Sequence, residues 1–566
     1  MTKTPQPFFS AGVKVKLGNS PQASGPRVPP VEILRSIGDL ARQGNIQEAM
    51  VQSDKALAAG FVHPMLLNFA ALKLEMSGRP EDAIAVLLEA RAMAPKDPGT
   101  LNALGLVYLR LERFVEALEC FEALGGLDPN LAIAHANQGQ ALQAIGLGDR
   151  AEAAFKRALD LAPEHPVSLT GLASLASRRG AHAEAKGYAE RVLKGAPMAA
   201  EANMCMARAE VDLGTPELAE ARLAHLLTDP HITPIEAADA RNLIGDILGA
   251  RGEHDQAFAA YLACNSALRT EYGPLFGTGA GAMGHAQSMA RYFQRTTASA
   301  WARKPAGKPL ADSPRSHVFL MGFPRSGTTL LEVALTGNED VVTLEEQDAL
   351  IDGVRQFMRH PDDLDALARA SEAELDMFRA AYWRRVREAG IEPSGKVFLD
   401  RYPLNTLKLP LIARLFPDAK VLFALRDPRD VVWSCYRRRF QMSPSMYHFL
   451  DLEEAARFYD SVMTFKTQLE TRLDQDMLVL RHEALLEDFE REVQAICAFI
   501  GLEWREAMRD FGARTRSRSM ATPSTAQLTR GLSKDGTGHW RSYTIPMARA
   551  LEVLEPWVQK LGYSEG

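Results

Sequence analysis

The residues best suited to chemistry form a short loop that follows the apolar run Val318–Met321 and reads Gly322-Phe-Pro-Arg-Ser-Gly-Thr-Thr329. Its spacing matches the phosphate-binding loop G-x-x-x-x-G-K-[ST], except that Thr328 stands in place of the lysine. Such a loop directs backbone N–H groups at a phosphate beside a helix N-terminus. The residues expected to hold that phosphate are Arg325, Ser326, Gly327, Thr328 and Thr329.

The absent lysine bears on the type of reaction. A kinase or ATPase uses that lysine, together with Mg²⁺, to neutralise the β- and γ-phosphates. The loop therefore favours a phosphate that is held and not transferred. A glycine-containing turn with no ligand is the alternative interpretation of this segment.

A second cationic segment follows another apolar run, Val421–Leu425, and carries Arg426 and Ser434 eight residues apart. From position 426 to position 439 there are five arginines and two aspartates, a local charge of 5 − 2 = +3. Arginine suits a bidentate grip on phosphate. The alternative, a solvated basic helix face, fits Arg437–Arg439 in part.

Short apolar runs and helical segments alternate around these two motifs. The runs Val318–Met321, Val397–Leu399 and Val421–Leu425 are expected to form strands. Such alternation predicts an α/β domain with a central parallel sheet covered by helices on both faces.

A repeat with a period of about 34 residues, a length typical of helix-pair repeats, precedes this domain. Six alanines keep the period, at Ala49, Ala83, Ala117, Ala151, Ala185 and Ala219, and Ala257 follows after a slightly longer interval. This period resembles the tetratricopeptide repeat, in which pairs of helices stack into a solenoid. Six units over about 31–232, with a seventh candidate after them, are predicted. Their groove could hold a protein or peptide, or the repeats could act as a spacer or a homodimerisation platform.

Composition limits the other function classes. The 566 residues are 46% hydrophobic and 24% charged, with a net charge of −6, which argues against a nucleic-acid partner. No apolar run approaches the roughly 18–20 residues of a membrane span. The five cysteines form no CxxC pair, and Met1-Thr-Lys-Thr is not expected to begin a secretory signal. These features predict a cytoplasmic protein.

Four regions are expected along the chain. They are a disordered tail over 1–29, a repeat domain over 30–269, a linker with a connecting helix over 270–313, and the α/β domain over 314–566. The linker is placed where glycine and proline clusters interrupt the helical pattern.

The two phosphate motifs resemble those of sulfotransferases, and roughly residues 314–562 share the resemblance. It is strongest to the protein-tyrosine sulfotransferase branch, and the order of domains is similar to that of bacterial repeat-containing sulfotransferases. The resemblance implies 3′-phosphoadenosine 5′-phosphosulfate (PAPS) as donor and adenosine 3′,5′-bisphosphate as product, without a metal. The first loop would hold the 5′-phosphosulfate, and Arg426 with Ser434 would hold the 3′-phosphate.

The same resemblance assigns catalytic roles. Glu346 would accept the proton of the acceptor hydroxyl, with the adjacent Glu345 as the alternative. Arg325 and Arg401 would stabilise the charge that develops on the leaving phosphate. Arg401 stands where the family usually has a lysine. The acceptor is left open between a protein or peptide tyrosine and a glycan.

The resemblance also places cofactor contacts near the C-terminus and after a further segment. The residues concerned are Ser524, Thr525, Gln527, Arg530, His539 and Trp540, together with His482, expected to be nucleotide-adjacent or structural. Asp348 and Asp352 replace arginines of the tyrosine-sulfating enzymes and would repel an acidic peptide. Two other classes remain open: a nucleotide-binding scaffold without turnover, and a P-loop kinase or NTPase.

Overall fold

The computed structural model describes residues 27–279, 281–304, 313–510 and 536–563. The chain divides into two compact units, Met1–Leu172 and Ala173–Gly566. The repeats predicted from the sequence run through both of them. The division into four regions predicted above remains a prediction.

The first unit consists of paired helices. Its helices are α1 (Val31–Arg42), α2 (Ile46–Ala58), α3 (Pro64–Met76), α4 (Pro80–Met93), α5 (Pro98–Arg110), α6 (Phe114–Leu127), α7 (Ala132–Ala144), α8 (Gly148–Leu161) and the start of α9 (Pro166–Arg178). The in-phase alanines are buried because they sit where the helices cross. Ala49, Ala83, Ala117 and Ala151 are each 0% exposed.

Glycine explains how the paired helices approach each other. A Cβ at Gly105 would lie 2.5 Å from the Phe121 ring, and one at Gly139 would lie 2.6 Å from the Phe155 ring. Both glycines precede their aromatic partners by the same interval along the chain. The aromatic ring of the second helix therefore docks where the first helix has no side chain.

The second unit begins with the remaining repeat helices and continues into an α/β fold. The helical part contains the end of α9, then α10 (His182–Gly195), α11 (Ala200–Asp212), α12 (Pro216–Leu226), α13 (Pro234–Ala250), α14 (His254–Phe276) and α15 (Gly281–Arg295). The pair α13–α14 packs as the helix pairs of the first unit do, with a glycine of the first helix facing an aromatic ring of the second. A Cβ at Gly245 would lie 2.6 Å from the Tyr261 ring, and the glycine again precedes the aromatic residue by that interval.

Strands and helices then alternate. The strands are β1 (Ser316–Gly322), β2 (Val341–Glu345), β3 (Val397–Arg401), β4 (Lys420–Leu425) and β5 (Met477–Arg481). The helices are α16 (Thr328–Leu335), α17 (Ile351–Phe357), α18 (Asp363–Arg369), α19 (Glu372–Glu388), α20 (Leu409–Leu415), α21 (Pro428–Tyr436), α22 (Leu452–Glu470), α23 (His482–Glu487), α24 (Phe489–Ile500) and α25 (Thr544–Lys560). Short 3₁₀ helices include Pro403–Lys408 and His539–Tyr543.

The five strands form one parallel sheet in the order β2-β3-β1-β4-β5. The chain moves from β1 to one side for β2 and β3, then to the other side for β4 and β5. Strand β1 is thus at the switch point, where open α/β sheets bind ligands beyond the carboxyl ends of the strands. The predicted parallel sheet is confirmed.

Helices cover both faces of the sheet. Alternate residues of the central strands enter different cores: Phe319 and Phe423 join one, while Leu320 and Leu422 join the other. All four side chains are at most 1% exposed. Burial on both faces explains why these strands appear in the sequence as continuous apolar runs. In the part of the chain that the structure describes, no helix has the length and apolar character to cross a membrane.

Candidate active site

The loop between β1 and α16 is shaped by two glycines. A Cβ at Gly322 would lie 2.5 Å from the carbonyl oxygen of Ala424, so only glycine lets β1 run this close to β4. Gly327 has a φ of 101°, and a Cβ there would lie 2.7 Å from His482 Nδ1. Helix α16 then begins at Thr328, and its first N–H groups, which lack intrahelical acceptors, face the loop.

The side chain of Arg325 joins the two predicted phosphate motifs. Its backbone has a φ of 72°, a left-handed conformation that is unusual for arginine. Arg325 Nε donates a hydrogen bond to Ser434 Oγ at 2.9 Å. Arg426 Nη1 donates to the Arg325 carbonyl at 3.3 Å. Residues separated by about a hundred positions thus meet at the switch point of the sheet.

The junction is strongly cationic. Burial, and then the nearby charges of Arg438, Arg426 and Arg437, lower the pKa of Arg325 to about 9. Arg437 and Ser434 line a cavity with Arg325 and Arg426. An anion bound in this cavity would relieve the repulsion among the arginines.

The segment that contains His539 and Trp540 is held against helix α21. The Asp430 carboxylate accepts hydrogen bonds from the backbone N–H of Gly538 at 2.7 Å and of Trp540 at 3.4 Å. Trp540 is buried, and the Arg429 guanidinium lies 4.3 Å from its ring centroid. His539 is exposed and lines the cavity of Arg325 and Arg426.

A cluster of three carboxylates around one arginine occupies the other side of the switch point. Arg401 ends β3 and is 0% exposed. Its Nη1 donates to Glu346 Oε1 at 2.5 Å and its Nη2 to Glu345 Oε1 at 2.8 Å. Its Nε is paired with Glu332 of α16, which is 1% exposed. Burial alone would lower the pKa of Arg401, but the three carboxylates raise it.

Glu346 comes directly after β2 and is the most exposed of the three acids, at 44% against 32% for Glu345. Its φ of 46° turns the chain out of the strand, and its N–H donates to the Arg401 carbonyl at 2.9 Å. Strands β2 and β1 lie two strand spacings apart, about 10 Å. Glu346 therefore lies at the same edge of the sheet as the loop after β1, with the end of β3 between them, and its carboxylate is partly exposed.

His482 packs against the loop from β5. Burial, and then the charges of Arg426 and Arg325, lower the pKa of His482 to about 3. The ring is therefore neutral near pH 7 and is a weak base. Its contact with Gly327 makes it a wall of the phosphate-binding loop.

Family models match two parts of the chain. Residues 317–506 match the model of the sulfotransferase family. Residues 33–137 match the N-terminal repeat region of psidin, and residues 132–165 match the tetratricopeptide repeat. The chain thus contains segments that match tetratricopeptide repeats, followed by a segment that matches the sulfotransferase family.

Individual relatives are distant. Protein-tyrosine sulfotransferase 1 of Danio rerio is 24% identical over 264 residues, which cover 44% of this chain and 72% of the relative. An uncharacterized protein of Aquifex aeolicus is 24% identical over 349 residues, or 60% of this chain, but the chain spans only 44% of that relative's length. Among solved structures, the sulfotransferase domain of the Synechococcus PCC 7002 olefin synthase matches 46% of this chain and all of its own, with 20% identity and a TM-score of 0.33.

The structure changes the interpretation of two acidic residues in the segment that matches the sulfotransferase family. Asp348 Oδ1 lies 2.8 Å from Lys408 Nζ. Asp352 accepts two hydrogen bonds from Arg385, at 2.9 and 3.0 Å, which lower the pKa of Asp352. Both aspartates are thus neutralised by cations, and the expected repulsion of an acidic peptide does not follow from their presence.

The basic run Arg437–Arg439 is not a solvated face. Arg439 Nε donates to Asp239 Oδ1 at 2.5 Å, and Arg438 Nη1 lies 3.3 Å from Asp246 Oδ2. Both aspartates belong to the repeat helix α13. The sequence analysis missed them because they precede the arginines by about 200 positions.

Arg401 pairs with Glu346, Glu345 and Glu332, so its protein partners include the candidate base. Its direct action on the leaving group stays a prediction, as do the roles of the other site residues. Ser524, Thr525, Gln527 and Arg530 lie outside the described residues.

Proposed function

We propose that this chain transfers the sulfuryl group of PAPS to a hydroxyl of an acceptor molecule. The observation that carries the proposal is the hydrogen bond from Arg325 to Ser434. It joins the loop that would hold the 5′-phosphosulfate to the helix that would hold the 3′-phosphate. The sulfotransferase-family match over 317–506 supports the same activity.

The residues at this junction are suited to binding a phosphate group. Three arginines, Arg325, Arg426 and Arg437, line one cavity with the Ser434 hydroxyl. Arg426 Nε is buried and has no hydrogen-bond acceptor within the described residues. A buried guanidinium with an unused donor is costly unless an anion binds it.

In the proposed reaction the donor supplies an activated sulfuryl group. Glu346 accepts or orients the proton of the acceptor hydroxyl, whose oxygen attacks sulfur in line with the leaving phosphate. The loop N–H groups and Arg325 hold that phosphate as it gains charge. Arg401 holds Glu346 at the same edge of the sheet as the loop. Positioning by the two phosphate sites contributes much of the rate, and we expect no metal requirement.

The acceptor is proposed to be a tyrosine hydroxyl of a protein or peptide, or a hydroxyl of a glycan. Tetratricopeptide repeats are protein-interaction modules, so their groove could present a macromolecular acceptor. The neutralised Asp348 and Asp352 leave a tyrosine in an acidic peptide among the candidates. The scattered, buried cysteines accord with a reducing, cytoplasmic environment.

Calorimetry with adenosine 3′,5′-bisphosphate, followed by transfer from radiolabelled PAPS to tyrosine peptides and glycans, tests the proposal. Tighter binding of ATP with Mg²⁺ would favour a kinase or NTPase. Binding of the bisphosphate without transfer to any acceptor would favour a scaffold.

One variant tests the donor assignment directly. Arg426→Ala should weaken binding of adenosine 3′,5′-bisphosphate by roughly 10-fold to 100-fold, because a charge-assisted hydrogen bond contributes about 1.5–3 kcal/mol. Adenosine 5′-phosphate, which lacks the 3′-phosphate, should lose much less. Equal losses for both ligands would show that Arg426 does not bind the 3′-phosphate.

A further inference from the structure

The last repeat hairpin, α13–α14, packs directly on the end of helix α21. The side-chain amide of Asn242 donates to the Arg437 carbonyl at 2.9 Å, and that of Asn265 donates to the Tyr436 carbonyl at 3.0 Å. These carbonyls belong to the final turn of α21, where no intrahelical donor is available. The hairpin therefore caps the helix that carries Ser434.

Aromatic contacts fix the same junction. The Tyr261 ring of α14 meets the Trp433 ring edge-on, with centroids 5.9 Å apart. Phe258 stacks on Tyr436 at the same separation. Trp433 is 1% exposed, so a repeat helix supplies part of the core under the second phosphate motif.

Asp246 links this junction to the cationic cavity. Its Oδ1 accepts a hydrogen bond from the Tyr261 hydroxyl at 2.8 Å and lies 3.9 Å from Arg437 Nη1. Its Oδ2 lies 3.3 Å from Arg438 Nη1. The Tyr261 hydroxyl thus fixes the Asp246 carboxylate, which forms ion pairs with both Arg437 and Arg438.

Each of these two arginines has an unused hydrogen-bond donor. The Nε atoms of Arg437 and Arg438 are buried and have no hydrogen-bond acceptor within the described residues. Arg437 lines the cavity with Arg325 and Arg426, and the charges of Arg437 and Arg438 both act on Arg325. Without a nearby acid, repulsion would drive these guanidinium groups apart.

We infer that Asp246 is a positioning residue for the donor site, through which the last repeat hairpin holds Arg437 toward the 3′-phosphate. The inference rests on the proposed donor. It makes α13–α14 a structural part of the sulfotransferase site. The affinity for the donor therefore depends on a residue of the repeats that itself touches no phosphate.

Asp246→Asn tests this, with Asp239→Asn as the matched control. Each change removes one carboxylate from α13, but the Asp239 partner, Arg439, does not line the cavity. Loss of a negative charge near an anion site would by itself strengthen binding, and the control measures that effect. Thermal unfolding of each variant verifies that it is folded.

Titration calorimetry should show that Asp246→Asn weakens adenosine 3′,5′-bisphosphate by roughly fivefold to tenfold relative to the control, within the coupling range of contacting residues. Adenosine 5′-phosphate should change little. In an Arg437→Gln background, Asp246→Asn should have a much smaller further effect on the bisphosphate, because only its contact with Arg438 is then lost. Tyr261→Phe, which keeps the carboxylate but removes its hydrogen bond, should weaken the bisphosphate less.

Three outcomes would overturn the inference. They are equal affinities for the two aspartate variants, equal losses for both nucleotides, and additive losses in the Arg437→Gln background. Failure of the unmodified protein to bind the bisphosphate would instead overturn the proposed function, because the donor itself would then be wrong. The deciding experiment is therefore the wild-type titration followed by the Asp246→Asn and Asp239→Asn pair.

Discussion

Replacing Glu346 by glutamine separates an enzyme from a binding protein. The change keeps the size of the side chain and the backbone hydrogen bond from position 346 to Arg401, but removes the proton acceptor. Because Glu346 is 44% exposed, its ion pair with Arg401 contributes no more than about 1 kcal/mol to stability. Arg401 also keeps Glu332 and Glu345 as partners.

The expected chemical effect is much larger than this cost. Loss of a general base lowers turnover by roughly 10²–10⁴. That range corresponds to about 2.7–5.4 kcal/mol on the barrier, at 1.36 kcal/mol for each factor of ten. Affinity for adenosine 3′,5′-bisphosphate should stay within about twofold, because Glu346 lies across β3 from the phosphate-binding loop.

The assay is single-turnover sulfuryl transfer at saturating PAPS, with Glu345→Gln as the control. Both acids bind the same arginine, and the control has the less exposed carboxylate. Normal turnover in Glu346→Gln with a large loss in Glu345→Gln would move the role by one residue. Normal turnover in both would refute the reasoning, and the neutral His482 would then be tested.

Three further predictions follow from the structure. Arg401→Met should lower the free energy of unfolding by about 3–5 kcal/mol, because it leaves the buried Glu332 unpaired. A second change, Glu332→Gln, should restore much of the lost stability. A loss below about 1 kcal/mol in urea unfolding would contradict this. Burial raises the pKa of Asp400 from 3.8 to about 7, so this residue stabilises the fold most below pH 4 and less as the pH rises toward 7. The unfolding free energy of the wild type minus that of Asp400→Asn should fall as the pH rises from 4 to 7. A value that rises or stays constant over this range would contradict the prediction. Deleting 1–172 should preserve binding of adenosine 3′,5′-bisphosphate, because the remaining unit keeps α13. Deleting 1–269 should abolish that binding, because this deletion removes α13. Equal binding by both fragments would show that the donor site does not need the repeats.

Much of the fold could be predicted because local patterns determine it. The alanine period indicated the helix pairs, and three apolar runs indicated β1, β3 and β4. Strands β2 and β5 were missed. In β2 (Val341–Glu345) the apolar run stops after two valines, at Thr343. In β5 (Met477–Arg481) the apolar run Met477–Leu480 was not interpreted as a strand; β5 lies at the sheet edge and is mostly half-exposed. The strand order depends on long-range packing, which spacing along the chain does not encode.

The candidate site was predictable where a motif is continuous in sequence. The loop from Gly322 to Thr329 and the pair Arg426 and Ser434 are such motifs, and the structure brings them together. The partners of charged side chains were not predictable. Asp348 seemed a repulsive charge until the structure placed Lys408 beside it, and Arg401 seemed directed at a phosphate although its donors meet three glutamates.

The hairpin α13–α14 shows why the repeat pattern alone concealed part of the site. Its core packs like those of the earlier hairpins, with Gly245 and Tyr261 at the same spacing along the chain. Its outer face differs from theirs. Asp239, Asn242 and Asp246 lie at i, i+3 and i+7, on one side of α13. When Ala257 is aligned with Ala219, the corresponding residues of the preceding hairpin are Glu201, Met204 and Arg208. The packing residues of the repeat are thus kept in α13, while these three positions differ from the preceding hairpin and contact the arginines after α21. Departures from a repeat on one helix face therefore indicate where a solenoid stops contacting only its neighbours and becomes part of the adjoining domain.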